Sequence, residues 1–134
     1  MPNQRRYDYA YDYAIIRVVP KVERGEFINV GVIVSCPAQE FLEARIACDE
    51  QRLRALDAGL DVATVREHLA PIPVICTGGK QAGPIAQLPQ RERFRWLVAP
   101  RSTIIQTSPA HTGLCTNPAT ALEHLLDRLV RAPQ

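Results

Sequence analysis

The side chains in this chain best equipped for chemistry are arginines, and they cluster. Residues 91–102 (RERFRWLVAPRS) hold Arg91, Arg93, Arg95 and Arg101 against one acid, Glu92. A guanidinium group is a planar fork whose paired N–H donors fit carboxylates and phosphates. Arg101 directly precedes Ser102 and Thr103, whose hydroxyls add donors. Arg101, Ser102 and Thr103 could therefore hold a small anion or a phosphorylated ligand. Arg91 or Arg95 would bring a second charge, and the loop around His111 could close the site. On a helix Arg91 and Arg95 share one face while Arg93 points elsewhere. Two other readings fit the same residues: a solvated helix face with an arginine bonded to loop carbonyls, and a surface for a partner protein.

A second group lies on the less apolar face expected of a sheet, with Tyr13, Arg17, Asn29, Gly31, Ser35, Glu43 and Arg45. Arg17 sits between Ile15 and Val19 on its own face, so a covered Arg17 needs a partner. Glu43 on a neighbouring strand is the candidate for an ion pair. The alternative is a binding concavity lined by Tyr13, Arg17 and Asn29, with Gly31 leaving room for close approach.

Other chemistries fail on spacing. Gly79-Lys80 suggests a phosphate-binding loop, but its first glycine would fall at Val74, and Gln81 stands where a magnesium-binding hydroxyl is needed. There is no GxGxxG after a strand and no GxSxG elbow. His68, His111 and His124 lie in different segments, and Cys36, Cys48, Cys76 and Cys115 show no CxxC spacing. No metal and no cofactor is expected, and the cysteines read as reduced, buried, small apolar residues. His111 and Cys115 could pair as base and thiol, but no third group orients them. No catalytic residue is assigned, and whether the chain is an enzyme stays open.

The elements that must position these residues follow from periodicity. Residues 11–19 are apolar on both faces, the pattern of a central strand. Residues 21–26, with Gly25 free to take positive φ, make a hairpin into a strand at 27–35. That strand carries Ile28, Val30, Val32 and Val34 on one face. A second turn at 37–40 leads to a strand through Leu42, Ala44, Ile46 and Cys48. Asp49, Asp61 and Asn117 each cap a helix, the last with Pro118 at its first position. Pro71 and Pro73 end the second of these helices, with a short turn possible at 74–77. Residues 89–98 form a further helix, 102–107 a β-branched fourth strand, and 109–115 a loop. Leu122, Leu125, Leu126 and Leu129 make the buried stripe of the last helix. The fold class is α+β: an antiparallel sheet of about four strands, an N-terminal three-strand meander plus a later strand, with helices mainly on one face.

At 134 residues the chain fits one domain, expected at 11–134 behind a flexible tail at 1–10. Sixteen basic against fourteen acidic side chains leave +2, so nucleic acid is not expected as a partner. No apolar run approaches the about 20 residues that span a bilayer, and no signal peptide opens the chain. No membrane association is expected, and a cytoplasmic protein is.

Three stretches carry a resemblance: Tyr11-Asp12-Tyr13-Ala14, residues 24–31 (RGEFINVG), and above all residues 83–115 (GPIAQLPQRERFRWLVAPRSTIIQTSPAHTGLC). On these the chain resembles the bacterial family named "domain of unknown function 3037". The resemblance implies an accessory role beside a protein partner, a HipA-like kinase being the candidate, and supplies no catalytic residues. The tyrosines Tyr7, Tyr9 and Tyr11 fit such a role, since aromatic residues are enriched at interface hot spots. The expected function is docking on a protein partner. The alternative is an enzyme or sensor binding a small anionic ligand near Arg101.

Overall fold

The computed structural model describes residues 9–131. Its first strand, β1 (Tyr9–Val18), is central as its two apolar faces require. One edge of β1 pairs with β2 (Ile28–Cys36), which pairs in turn with β3 (Phe41–Ile46). The other edge is long enough to serve two short strands. β4 (Ile105–Thr107) pairs with Ile16, Arg17 and Val18, and β5 (His111–Cys115) pairs with Tyr9 through Tyr13. All pairings are antiparallel, and the order is β3-β2-β1-β4 with β5 beside β4 on the same edge. Ser108 fills the gap between the two short strands. Its backbone N–H donates to the Ile15 carbonyl at 2.8 Å, and its Oγ accepts from the Ile15 N–H at 2.9 Å.

The α+β architecture stands, with one strand more than periodicity gives. Residues 111–115 (HTGLC) lack a β pattern of their own and become β5 because β1 offers an unpaired edge. The expected strand at 102–107 shrinks to Ile105–Thr107. Ahead of it, Thr103 Oγ1 donates to the Ile105 carbonyl and Gln106 Nε2 to the Thr103 carbonyl. Such local bonds compete with a ladder. Of the tail expected at 1–10, residues 1–8, Tyr7 among them, lie outside the described residues. Tyr9 and Ala10 already belong to β1.

The second correction concerns β2. Ile16 pairs with Gly31 but Arg17 pairs with Asn29, so Val30 is an extra residue, a β-bulge. The bulge splits the expected single face. Val30 joins Ile16, Val18 and Ile33 in one core cluster, while Val32 and Val34 face the other way. Gly31 beside the bulge has no room for a side chain: a Cβ there would lie 2.7 Å from the Arg45 carbonyl oxygen and 3.1 Å from Ile16 Cδ1. Gly31→Ala should therefore cost about 1–3 kcal/mol through forced backbone shifts. An urea midpoint equal to wild type would show that the bulge is not held as described.

Four helices cover the face of Ile16, Val18 and Ile33: α1 (Glu50–Leu56), α2 (Val62–Leu69), α3 (Pro71–Thr77) and α4 (Gln90–Val98). Asp49 and Asp61 cap α1 and α2 as expected, accepting bonds from first-turn N–H groups. Pro71 does end α2, but it also starts α3 at the first position, where proline costs no hydrogen bond. The opposite face carries α5 (Pro118–Leu129), capped by Asn117, with Leu122, Leu125 and Leu126 against Val32 and Val34.

Candidate functional site

The arginine-rich segment forms α4 and the turn after it, and its arginines divide by role. Arg93 is half-buried, and its donors are spent on backbone. Nε bonds to the Leu88 carbonyl at 2.8 Å, and Nη1 to those of Ile75 and Cys76 at 3.1 and 2.5 Å. Arg101 does the same at the end of α4. Nη1 reaches the carbonyls of Leu97 and Ala99, Nη2 reaches that of Trp96 at 2.6 Å, and the guanidinium stacks 4.5 Å above the Trp96 ring. Each arginine thus satisfies carbonyls at a helix C-terminus, where partners are missing and the helix dipole is negative.

Arg91 and Arg95 are exposed on α4 without a partner among the described residues. Ser102 is exposed, and Thr103 spends its hydroxyl on Ile105. His111 is not brought to Arg101. It lies on β5 opposite Tyr13, whereas β4 pairs with Ile16, Arg17 and Val18, and its ring is 5.3 Å from that of Tyr13.

What gathers beside Arg101 is apolar. A cleft of about 200 Å³ opens between α3, α4 and β4, lined chiefly by Ile72, Ile75, Leu97 and Ile105, with Trp96 as one wall. Trp96 keeps 41% of its surface exposed there, and Arg101, His68 and Thr103 supply the polar rim. A larger cavity of about 410 Å³ at the first hairpin is lined by charges that already neutralise one another, Arg24 with Glu26 and Lys21 with Asp57.

The second candidate group separates. Arg17 faces Asn29 on one side and Gln106 on the other, while Glu43 lies opposite Val34, so the expected Arg17–Glu43 ion pair does not form. The Arg17 guanidinium instead covers the Phe27 ring at 4.1 Å. Asn29 donates through Nδ2 to the Leu129 carbonyl at 3.1 Å. Arg17 Nε and Asn29 Oδ1 are buried without partners, each a cost of about 1–3 kcal/mol. Tyr13 lies on the same face four positions up β1 from Arg17, about 13 Å of strand away. Gly31 and Ser35 point to the face of α1 to α4, paired with Ile46 and Leu42.

All four cysteines are free thiols. Burial pushes the Cys76 thiol up to about 12, against the opposing pull of Arg93. It raises Cys48 and Cys115 as well. Such thiols are poor nucleophiles.

Sequence reasoning passed over Trp96 as a cleft wall and Gln90, and it named Arg93 without its carbonyl partners. Gln90 ties α4 to the sheet by donating to Ser35 Oγ and the Phe41 carbonyl. The one signal for Arg93 was its position off the face shared by Arg91 and Arg95.

The five-stranded sheet, helices on both faces and an apolar cleft at the end of α4 define an α+β domain. The model of the family described as "Protein of unknown function (DUF3037)" matches residues 13–130, and the chain belongs to that family. No curated protein and no solved structure matches it. No helix among the described residues is long and apolar enough to cross a membrane.

Proposed function

We propose that this chain is a docking protein, acting in the bacterial cytoplasm, whose cleft beside Trp96 receives an apolar side chain of a protein partner. One observation carries the reading: a half-exposed tryptophan walls an apolar cleft of about 200 Å³. Tryptophans over desolvated pockets are where interface energy concentrates. Arg101 and His68 on the rim, with the exposed Arg91 and Arg95 on α4, favour a partner whose anchor is flanked by carboxylates. The family resemblance makes a HipA-like kinase the partner to try first. The tyrosine tail contributes less to this reading, because Tyr9 and Tyr11 are strand residues and Tyr11 packs against the α5 cluster.

In calorimetric titration against such a kinase, Trp96→Ala should weaken binding about thirtyfold, the equivalent of about 2 kcal/mol. Absence of binding, or equal affinity for a folded Trp96→Ala chain, overturns the reading.

A second reading, a small anionic or phosphorylated ligand near Arg101, draws on the exposed Arg91 and Arg95 of α4 and on the Arg101 donors not bonded to carbonyls. It requires inorganic phosphate to raise the melting temperature with the logarithm of its concentration, and Arg101→Gln to abolish that response.

A further inference from the structure

The outer edge of β3 has no strand beside it among the described residues, and its sequence complements itself. Ile15 turns its N–H and C=O toward Ser108, so by alternation Ala14 and Ile33 bond each other, Val32 and Val34 bond β3, and Arg45 and Glu43 face β2. The Ala47 N–H, which reaches the Val30 carbonyl at 2.8 Å, agrees with this parity. Leu42, Ala44 and Ile46 therefore aim their N–H and C=O groups away from the sheet, and no strand among the described residues takes them. A cavity of about 350 Å³ lies along this edge, between residues 40–44 and Pro73, Cys76 and Thr77 of α3. An unpaired edge with room beside it is a template for another strand.

We infer that the strand it takes is β3 of a second copy, antiparallel about a two-fold axis through Ala44. In that register residues 41–47 (FLEARIA) set Leu42 opposite Ile46, Glu43 opposite Arg45 and Phe41 opposite Ala47, each pair occurring twice. Ala44 and the Leu42–Ile46 pairs exchange about six backbone hydrogen bonds across the axis. Glu43 and Arg45 fall at the closer, non-hydrogen-bonded positions, where opposite charges attract most. A slip of two residues either way sets Glu43 against Glu43 or Arg45 against Arg45, so charge fixes the register. Glu43 is exposed and has no ion pair among the described residues, while Arg45 is held upright by Glu123. The α3 wall of the cavity lies against residues 40–44, so the two-fold places the two α3 helices beside opposite halves of the paired strands. The result is one continuous sheet through both copies, with the Trp96 cleft of each remote from the axis.

A ladder this short buries less than the about 800 Å² per partner of a standard interface, so the dimer should dissociate within reach of dilution. Sedimentation velocity of the full chain from about 10 μM to 1 mM should show monomer passing to dimer. Glu43→Arg sets guanidinium groups opposite each other and should weaken the dimer about tenfold or more, and the double exchange Glu43→Arg with Arg45→Glu should restore it. Ala44→Pro removes the N–H at the axis without touching the bonds to β2, and should abolish the dimer in a chain that still melts cooperatively. Trp96→Ala should leave it unchanged, which separates this contact from partner docking. Monomer at every concentration overturns the inference. So does a dimer that survives both Glu43→Arg and Ala44→Pro.

Discussion

Leu126→Ala should lower stability by about 2–5 kcal/mol. Leu126 is 0% exposed and lies in the cluster with Val32, Val34, Leu122 and Leu125. Truncating a buried leucine loses its transfer free energy, and the cost rises with the cavity that remains. Here the cavity cannot close easily, because α5 is pinned along its length. Asn117 caps its start, Glu123 pairs with Arg45, and its last carbonyls receive Asn29 at Leu129 and Arg52 at Val130. The partly buried apolar neighbours among the described residues, Tyr11, Tyr13, Phe41, Ala47 and Leu129, already pack against the cluster. The loss should therefore fall in the upper half of the range, and the thermal midpoint should drop by about 10–20 °C. Leu129→Ala, at a half-buried position on the same stripe, should cost less. A Leu126→Ala chain that melts with wild type would remove α5 from the sheet.

That prediction was open to sequence reasoning because α5 advertises itself. Asn117 and Pro118 mark its start, and its leucines recur at three and four. The central place of β1 was equally legible, since apolar residues on both faces leave a strand nowhere else to go. What escaped depends on pairings distant in sequence. β5 has no alternation of its own and exists because the N-terminal half of β1 needs a second neighbour. The bulge at Val30 is invisible in a run of alternating valines, yet it sends Val30 and Val32 to opposite faces and so decides which helices each one meets. The site was legible only in outline. That Arg101 bonds loop carbonyls was one of the readings residues 91–102 allowed. The cleft beside it combines residues from α2 to β4, which no local spacing brings together.

Arg93 shows how far the arginine-rich segment serves the fold, and Arg93→Met should cost about 2–4 kcal/mol. Methionine keeps much of the stem but no donor. Three carbonyls lose their partner at once: Leu88 just before α4, and Ile75 and Cys76 in the last turn of α3. Carbonyls at a helix end have no intrahelical donor to fall back on, and half-burial restricts their access to water. Hydrogen bonds to a charged donor are also the stronger kind, about 1.5–3 kcal/mol each before solvent exposure is counted. The guanidinium further bridges a loop, since it is what holds the end of α3 to the start of α4 across residues 78–89. Gly78 is part of that arrangement, with φ at +80° and Arg93 Nη1 only 3.2 Å from where a Cβ would stand. Arg93→Lys tests charge against geometry. An ammonium can serve one or two of these carbonyls but cannot reproduce the fork, so it should recover only part of the loss. Arg91→Met and Arg95→Met on the same helix should stay within about 0.5 kcal/mol of wild type, because both side chains are exposed and have no partner among the described residues. Since α3 and α4 are two walls of the Trp96 cleft, the Arg93→Met chain should also show faster amide exchange at the end of α3 before it unfolds globally. If Arg93→Met melts with Arg95→Met, the three bonds contribute nothing in solution, and the arginines of this segment are free for another purpose after all.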